Sequence, residues 1–322
     1  MKKSWQEAYE LIKNNKNFLI VSHKNPDGDS IGSEIALAMA LIKIGKNIYI
    51  YNSDPTPEKY SKFPKATLVK TRKKKNFEED VTIFVDCAEI ERVGRIKENI
   101  DFSKPSINID HHIGNSKFGT VNIIKPDHSS TAEIIYQFIK DEIEMDKEIA
   151  TYLYIGILTD TGAFRYPNTT SHSLRVASEL VEYGVIASQV SEFIWFTDPE
   201  ARIKLLGDVL RTMDLYDKIS IMHVTKEMLK KHGAKEEDTE EFVDYGLSIE
   251  RIETAAIIKE RKNGILKVSL RSKNNVPVQE LAAKYGGGGH RTASGFSVKR
   301  ELLPFKKELK KELEKLVEKY HN

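Results

Sequence analysis

Cysteine is nearly absent from this chain: Cys87 stands alone among 322 residues. No disulfide can form within the chain, and a reducing compartment, the cytoplasm, suits it. Long apolar runs are missing too. No stretch reaches the roughly 20 residues that a membrane helix needs, so no membrane partner is expected. The opening MKKSWQEAYELIKNN has a basic pair without the apolar core of a signal peptide. An excess of charge of either sign is missing as well, with 50 basic residues against 48 acidic ones. A net charge of +2 argues against a large nucleic-acid footprint held by neutralised phosphates, and leaves room for a small nucleotide or a short oligomer. The remaining bulk, 40% hydrophobic and 30% charged, is that of a folded protein. Its length exceeds what one core organises well, so two domains are expected.

Along the first two-thirds, apolar strand-like runs alternate with helical patterns. Residues 18–22 (FLIVS), 47–51 (NIYIY), 81–85 (VTIFV) and 106–109 (SINI) read as buried strands. Residues 32–44, 131–140 and 147–158 carry helical spacing, as do 171–183 and 200–213. The alternation predicts an α/β fold, a mainly parallel sheet with helices on both faces. Ligands in such sheets gather at the carboxyl ends of the strands. Strand-like runs return at 218–224, 254–259, 265–270 and 293–298, mixed with helices, and predict a smaller α+β domain. The boundaries expected are 1–190, a helical connector at 191–215, and 216–322. The Lys-rich stretch at 70–76 reads as an exposed loop and the charged tail at 302–320 as a helix with a solvated face.

Chemistry-bearing residues sit where those strands end. SHKNPDGDS follows the first strand and places His23, Asp27 and Asp29 within seven residues, in a loop bent by Pro26 and Gly28. A helix cap by Asp29 or Ser30 explains only part of that cluster. Asp86 closes VTIFVD, Asp110, His111 and His112 close SINIDHH, and Asp160 closes a helical run in LTDTGAFRY, with Arg165 just after. Carboxylates mixed with imidazoles suit Mn²⁺ or Mg²⁺ better than thiolate-selected zinc. Carboxylates crowded this way repel one another unless cations lie between them. Two divalent ions sharing one carboxylate offset that repulsion, activate water, and clamp the oxygens of phosphoryl transfer. Ser130 and Glu133 form a capping-box pattern before a helix. His128 and His172 read as ordinary polar residues, and Cys87 as a small buried hydrophobe.

HKNPDGDS, VD at 85–86, DHH at 110–112 and LTDTGAF occur in order and resemble the four motifs of the DHH phosphoesterase superfamily. The resemblance implies that His23, Asp27 and Asp86 hold one Mn²⁺. It implies that Asp29, Asp86, His111 and Asp160 hold the other, with Asp86 as the bridge and Mg²⁺ or Co²⁺ as substitutes. His112 would face the substrate phosphate, helped by Arg165, and Asp110 would orient the paired histidines. No ligand position departs from the pattern.

The second domain carries YGGGGHRTASGF. Gly286, Gly287, Gly288 and Gly289 cannot serve helix or strand propensity; they let backbone approach a ligand or present N–H groups to an anion. His290 and Arg291 follow with donors for phosphate or base, and Arg271 closes an upstream strand. This segment resembles the DHH-associated C-terminal domain, and the whole layout resembles the bifunctional nano-RNase and pAp phosphatase branch. That branch implies Mn²⁺-dependent hydrolysis of very short RNA and of 3′-phosphoadenosine 5′-phosphate. Arg271, His290, Arg291 and the glycines would hold the nucleotide from the far side of a cleft; a homodimer is compatible with the sequence, which does not fix the oligomeric state. Alternatives are a phosphodiesterase for linear or cyclic dinucleotides, an inorganic pyrophosphatase, and a non-catalytic RNA-binding module.

Overall fold

The computed structural model describes residues 3–75, 77–273 and 276–321, of His321 the backbone only. It divides into two compact units, 1–197 and 198–322.

The first unit runs α1 (Lys3–Asn14), β1 (Asn17–Val21), α2 (Gly28–Lys43), β2 (Asn47–Tyr51), α3 (Glu58–Ser61), β3 (Val69–Lys70), β4 (Val81–Val85), a 3-10 segment (Ile90–Asn99), β5 (Ser106–Asp110) and β6 (Val121–Ile124). Four helices follow: α4 (Thr131–Ile139), α5 (Lys147–Asp160), α6 (Ser171–Glu182) and α7 (Ala187–Trp195). All six strands are parallel, in the order β3-β2-β1-β4-β5-β6. The apolar runs in β1 and β4 do not alternate because both sheet faces are covered; all five residues of β4 are buried. One face packs against α1, α2, α4 and α5 around Phe18, Ile35, Ile83, Phe138 and Leu153. The other packs Leu19, Phe84 and Cys87 against Val93 and Ile96 of the 3-10 segment. β3 and β6 were not expected from the sequence. Lys70, expected in a loop, ends β3, and Asn76 lies outside the described residues.

Glycine sets how closely α2 and α5 approach. A Cβ on Gly32 would stand 2.4 Å from the Tyr152 carbonyl oxygen, and one on Gly28 2.4 Å from Thr159 Oγ1. Gly156 faces back from α5, where a Cβ would meet Asp29 Oδ1 at 2.8 Å. Backbone thus comes close enough for the acidic first turn of α2 to reach the end of α5.

The second unit contains α8 (Glu200–Arg211), β7 (Asp214–Tyr216), β8 (Ile219–Val224), α9 (Lys226–His232), α10 (Phe242–Leu247), β9 (Thr254–Glu260), β10 (Ile265–Ser272), α11 (Val278–Lys284), β11 (Gly288–His290), β12 (Ala293–Lys299) and α12 (Leu302–His321). Its strands are ordered β11-β12-β10-β9-β8-β7, with β8 and β9 parallel and the other neighbours antiparallel. The tail helix α12 buries Phe305, Leu309, Leu313 and Leu316, one stripe at helical spacing. Of the segment expected as a connector, α7 falls in the first unit and α8 in the second. Among the described residues no helix is long and apolar enough to cross a membrane.

Candidate metal centre

Strand order reverses at the β1–β4 pair, the point where open α/β sheets hold their ligands. His23, Asp27 and Asp29 follow β1, Asp86 follows β4, and Asp110 ends β5 with His111 and His112 behind it. The structure therefore brings three of the four motifs to one rim of the sheet. Asp160, the last residue of α5, supplies the fourth. Asp86 takes a left-handed backbone, φ 54°, rare for a residue other than glycine. Its N–H still donates to Ile109 O at 3.0 Å, so neighbouring backbone holds the unusual conformation in place.

Around one oxygen of Asp86 lies the first group. His23 Nε2 is 3.4 Å from Asp86 Oδ2 and 3.8 Å from Asp27 Oδ2. His23 Nδ1 meets Lys24 O at 2.8 Å, which assigns a proton to Nδ1 and points Nε2 at the carboxylates. Asp27 has two duties: Oδ1 caps α2 by accepting from the N–H groups of Asp29 and Ser30, while Oδ2 faces His23. The cap is thus Asp27, and neither Asp29 nor Ser30.

Around the other oxygen lies the second group. His111 Nε2 is 3.8 Å from Asp86 Oδ1 and 3.6 Å from Asp160 Oδ2. Ligand atoms of Asp29, His111 and Asp160 lie within 4.8 Å of one another, as do those of His23, Asp27 and Asp86. Asp29 accepts from the N–H groups of Thr131 (2.7 Å) and Ala132 (2.9 Å), so a carboxylate occupies the N-terminus of α4. Ser130 caps α4 as expected, but Glu133 reaches back to Ser129 instead of closing the reciprocal box. His112 Nδ1 is 3.7 Å from Asp86 Oδ1, yet only 2.7 Å from Asp110 Oδ1. Asp110, fully buried, is fixed in turn by Asn115 Nδ2 at 2.6 Å.

Electrostatics tests whether divalent ions suit this set. Burial pushes the carboxyl of Asp29 well above its ordinary range, and Asp86 and Asp160 push it further. Asp160 is raised by burial and by Asp27 and Asp86. Burial raises Asp86 too, but His23, His112 and His111 outweigh it and hold the carboxyl far below its usual value. Burial lowers His23 and His112, yet their carboxylate partners bring each up to about 9. Two acids and two imidazoles with raised proton affinity mark a local excess of negative charge, which a pair of divalent cations would offset. The donors are oxygen and imidazole, with no thiolate: burial, with Asp110 and Asp86, pushes the Cys87 thiol up to about 12.

Arg165 is exposed, and its Nε donates to Gly162 O at 2.6 Å within its own loop. That loop is tightly wound: Gly162, Ala163 and Phe164 all have left-handed backbones. In the second unit, Arg271, Ala293 and His290 lie opposite one another across β10, β12 and β11. Register-matched residues share a sheet face, so the arginine and the histidine flank one small alanine. Of the four glycines, Gly286 and Gly289 have positive φ, and a Cβ on Gly287 would collide with Gly295 O at 2.2 Å. Gly288 alone has neither reason to be glycine. It is exposed, as are Arg291 and His290.

Several contributors escaped the sequence reading. Ser30 Oγ contacts His23 Nε2 (2.7 Å), Asp86 Oδ2 (2.8 Å) and Asp27 Oδ1 (3.1 Å), making it the common partner of the first group. Asn168 Nδ2 ties Asp160 O to Ser129 O. Arg92 is half-buried and its charge bears on His112 and Cys87. A cation on the turn after Asp86 was the available signal. His128 and His172, expected as ordinary polar residues, cluster with buried Glu133.

A reversed-order parallel sheet with a carboxylate–imidazole centre at its switch point fits a hydrolase that uses divalent metal. The chain belongs to the DHH family: the N-terminal domain of that family matches residues 17–157, and the DHHA1 domain matches residues 219–320. It is 36% identical to the bifunctional oligoribonuclease and PAP phosphatase NrnA of Thermus thermophilus, over 87% of this chain and 83% of that protein. With the protein of the same name from Bacillus subtilis it shares 29% identity over 91% of this chain and 92% of that one. A crystal structure of an exopolyphosphatase-related protein from Bacteroides fragilis superposes with a TM-score of 0.90 at 27% identity, covering 99% of this chain and 97% of that one.

Proposed function

We propose that this protein is a Mn²⁺-dependent phosphoesterase that hydrolyses short oligoribonucleotides to mononucleotides and dephosphorylates 3′-phosphoadenosine 5′-phosphate. The observation that carries the reading is the division of Asp86: Oδ2 faces His23, while Oδ1 faces His111 and His112. One carboxylate thereby serves two donor groups. On this reading His23, Asp27 and Asp86 hold one ion, and Asp29, Asp86, His111 and Asp160 hold the other. When bound, the two ions supply an activated water and positive charge for the phosphate oxygens. The chain's own residues do the rest. Asp110 and Asn115 hold the His112 ring in one orientation, and the raised affinity for its proton suits it to donate to the phosphate. Arg92, half-buried beside this region, fits charge neutralisation better than the exposed Arg165. Arg271, His290, Arg291 and the glycines Gly286, Gly287, Gly288 and Gly289 take the nucleotide. Relatives named as oligoribonuclease and PAP phosphatase support this substrate choice. A cytoplasmic setting fits the lone, buried Cys87.

The test is one panel of substrates: pAp, RNA of two to ten nucleotides, pyrophosphate and cyclic dinucleotides, each with Mn²⁺, Mg²⁺ or chelator. Turnover of pAp and dinucleotide RNA should dominate with Mn²⁺ and vanish with chelator. Faster cleavage of cyclic dinucleotides or pyrophosphate would reassign the substrate, and full turnover without metal would remove the mechanism.

A further inference from the structure

Outside the centre, three side chains aim ligand atoms at one point. One ligand atom each of His128, Glu133 and His172 lies within 4.8 Å of the others, and none of these residues belongs to the centre described above. Two of their atoms are buried without a hydrogen-bond partner: Nε2 of His128, whose side chain is 8% exposed, and Oε1 of Glu133, which is 0% exposed. Leaving a buried carboxylate oxygen and imidazole nitrogen unsatisfied is costly. Their other atoms are committed. Glu133 Oε2 accepts from Ser129 N (2.8 Å) and Ser129 Oγ (2.5 Å). His128 Nδ1 lies 3.2 Å from Asp127 Oδ1, which leaves the buried Nε2 as its uncommitted ring nitrogen. A carboxylate behind a histidine is the arrangement that orients imidazole ligands on metals.

We infer that His128, Glu133 and His172 form a further cation site that takes a transition-metal ion of the zinc type. Two imidazoles and one carboxylate are a zinc donor set, and tetrahedral bonds of about 2.0–2.1 Å put ligand atoms roughly 3.3 Å apart. His172 Nε2 and Glu133 Oε1 are already 3.4 Å apart. His172, 39% exposed, gives the ion a way in from solvent. As placed, the Gln137 amide nitrogen donates to His172 Nε2; turning the amide over releases Nε2 for the ion and presents the amide oxygen as a further ligand. The ion would join the turn before α4 to the first turn of α6. That α4 turn is the one whose N–H groups hold Asp29.

Zinc added to Mn²⁺-saturated protein, followed by calorimetry and by elemental analysis after desalting, tests the site. Wild type should retain one more zinc per chain than the double variant His128→Asn with His172→Asn. Asp86→Asn, which removes a ligand of the other centre and none of this one, should keep that extra ion. Asp127→Asn should weaken zinc binding about 10–100-fold, as losing the partner behind a ligating histidine does. Should the double variant fail to fold, the exposed changes Asp127→Asn and His172→Ala carry the same comparison. Equal zinc in wild type and variants would mean that water or a direct His172–Glu133 bond satisfies these atoms. An extra ion that disappears in Asp86→Asn would belong to the other centre. Either result overturns the site.

Discussion

Asp86 illustrates how much one side chain is asked to do. It closes a buried strand, takes a left-handed backbone, and offers one oxygen to each donor group. Asp86→Asn should therefore reduce bound Mn²⁺ more than any other single ligand change. His112→Ala should spare metal content, because Asp110 already holds Nδ1, and should lower kcat by roughly 10²-fold or more, the range for a lost proton donor. Metal analysis beside steady-state kinetics decides; a stripped ion in His112→Ala would make that histidine a ligand. Glu34 behaves differently. It is fully buried on α2, Asn52 Nδ2 donates to it at 2.9 Å, and burial pushes its carboxyl from 4.5 up to about 8 despite Asn52 and Ser22. Between those two values the folded state keeps a proton that the unfolded chain has released, so this group's effect on stability worsens as pH rises through the window. Glu34→Gln removes the titration. Urea melts from about pH 5 to about pH 8.5 should show the variant gaining steadily on wild type, and a pH-independent gap would mean that Glu34 is ionised when folded.

At the scale of elements, the α2–α5 crossing positions the chemistry. Gly156→Ala would drive a Cβ to within 2.8 Å of Asp29 Oδ1 and 2.5 Å of Ala132 Cβ. Overpacking of this kind costs about 1–3 kcal/mol, measurable by urea denaturation, and Asp29 should lose metal affinity alongside. An unchanged melt and unchanged metal content would mean that α5 moves aside freely. The strands that carry the site were legible because uninterrupted apolar runs broke off at Asp or His: FLIVS before His23, VTIFV before Asp86, SINI before Asp110. The short strands were not. β3 has two residues and β11 is mostly glycine, so neither shows periodicity; pairing with neighbours makes them strands. Nor could the convergence of His128 and His172 be read, since it depends on the packing of α6 near the start of α4. Asp27 as the cap was equally hidden, because SHKNPDGDS offers several acids where the helix starts.

At the scale of the whole molecule, the proposed division is phosphate chemistry in the first unit and nucleotide selection in the second. Gly288 separates architecture from recognition. A Cβ there meets nothing within 4 Å, so Gly288→Ala should leave stability within about 0.5 kcal/mol while raising KM for pAp. Arg271 and His290 flank Ala293 in register, and removing both should act on nucleotides alone. The double change Arg271→Ala with His290→Ala should lower hydrolysis of pAp and dinucleotide RNA by about two orders of magnitude, because lost positioning is expensive. A generic ester such as bis-p-nitrophenyl phosphate has no nucleotide to position and should suffer far less. Chain length gives the sharpest reading. Long RNA needs a cationic track and stacking platforms, and a net charge of +2 supplies little of the former. Initial rates on 5′-labelled RNAs of about two to twenty nucleotides should therefore fall with length, and added salt should change them little. Rates that hold or rise with length, or that collapse with salt, would show a substrate held along its backbone. Arg271 and His290 would then serve that track in place of a terminal nucleotide.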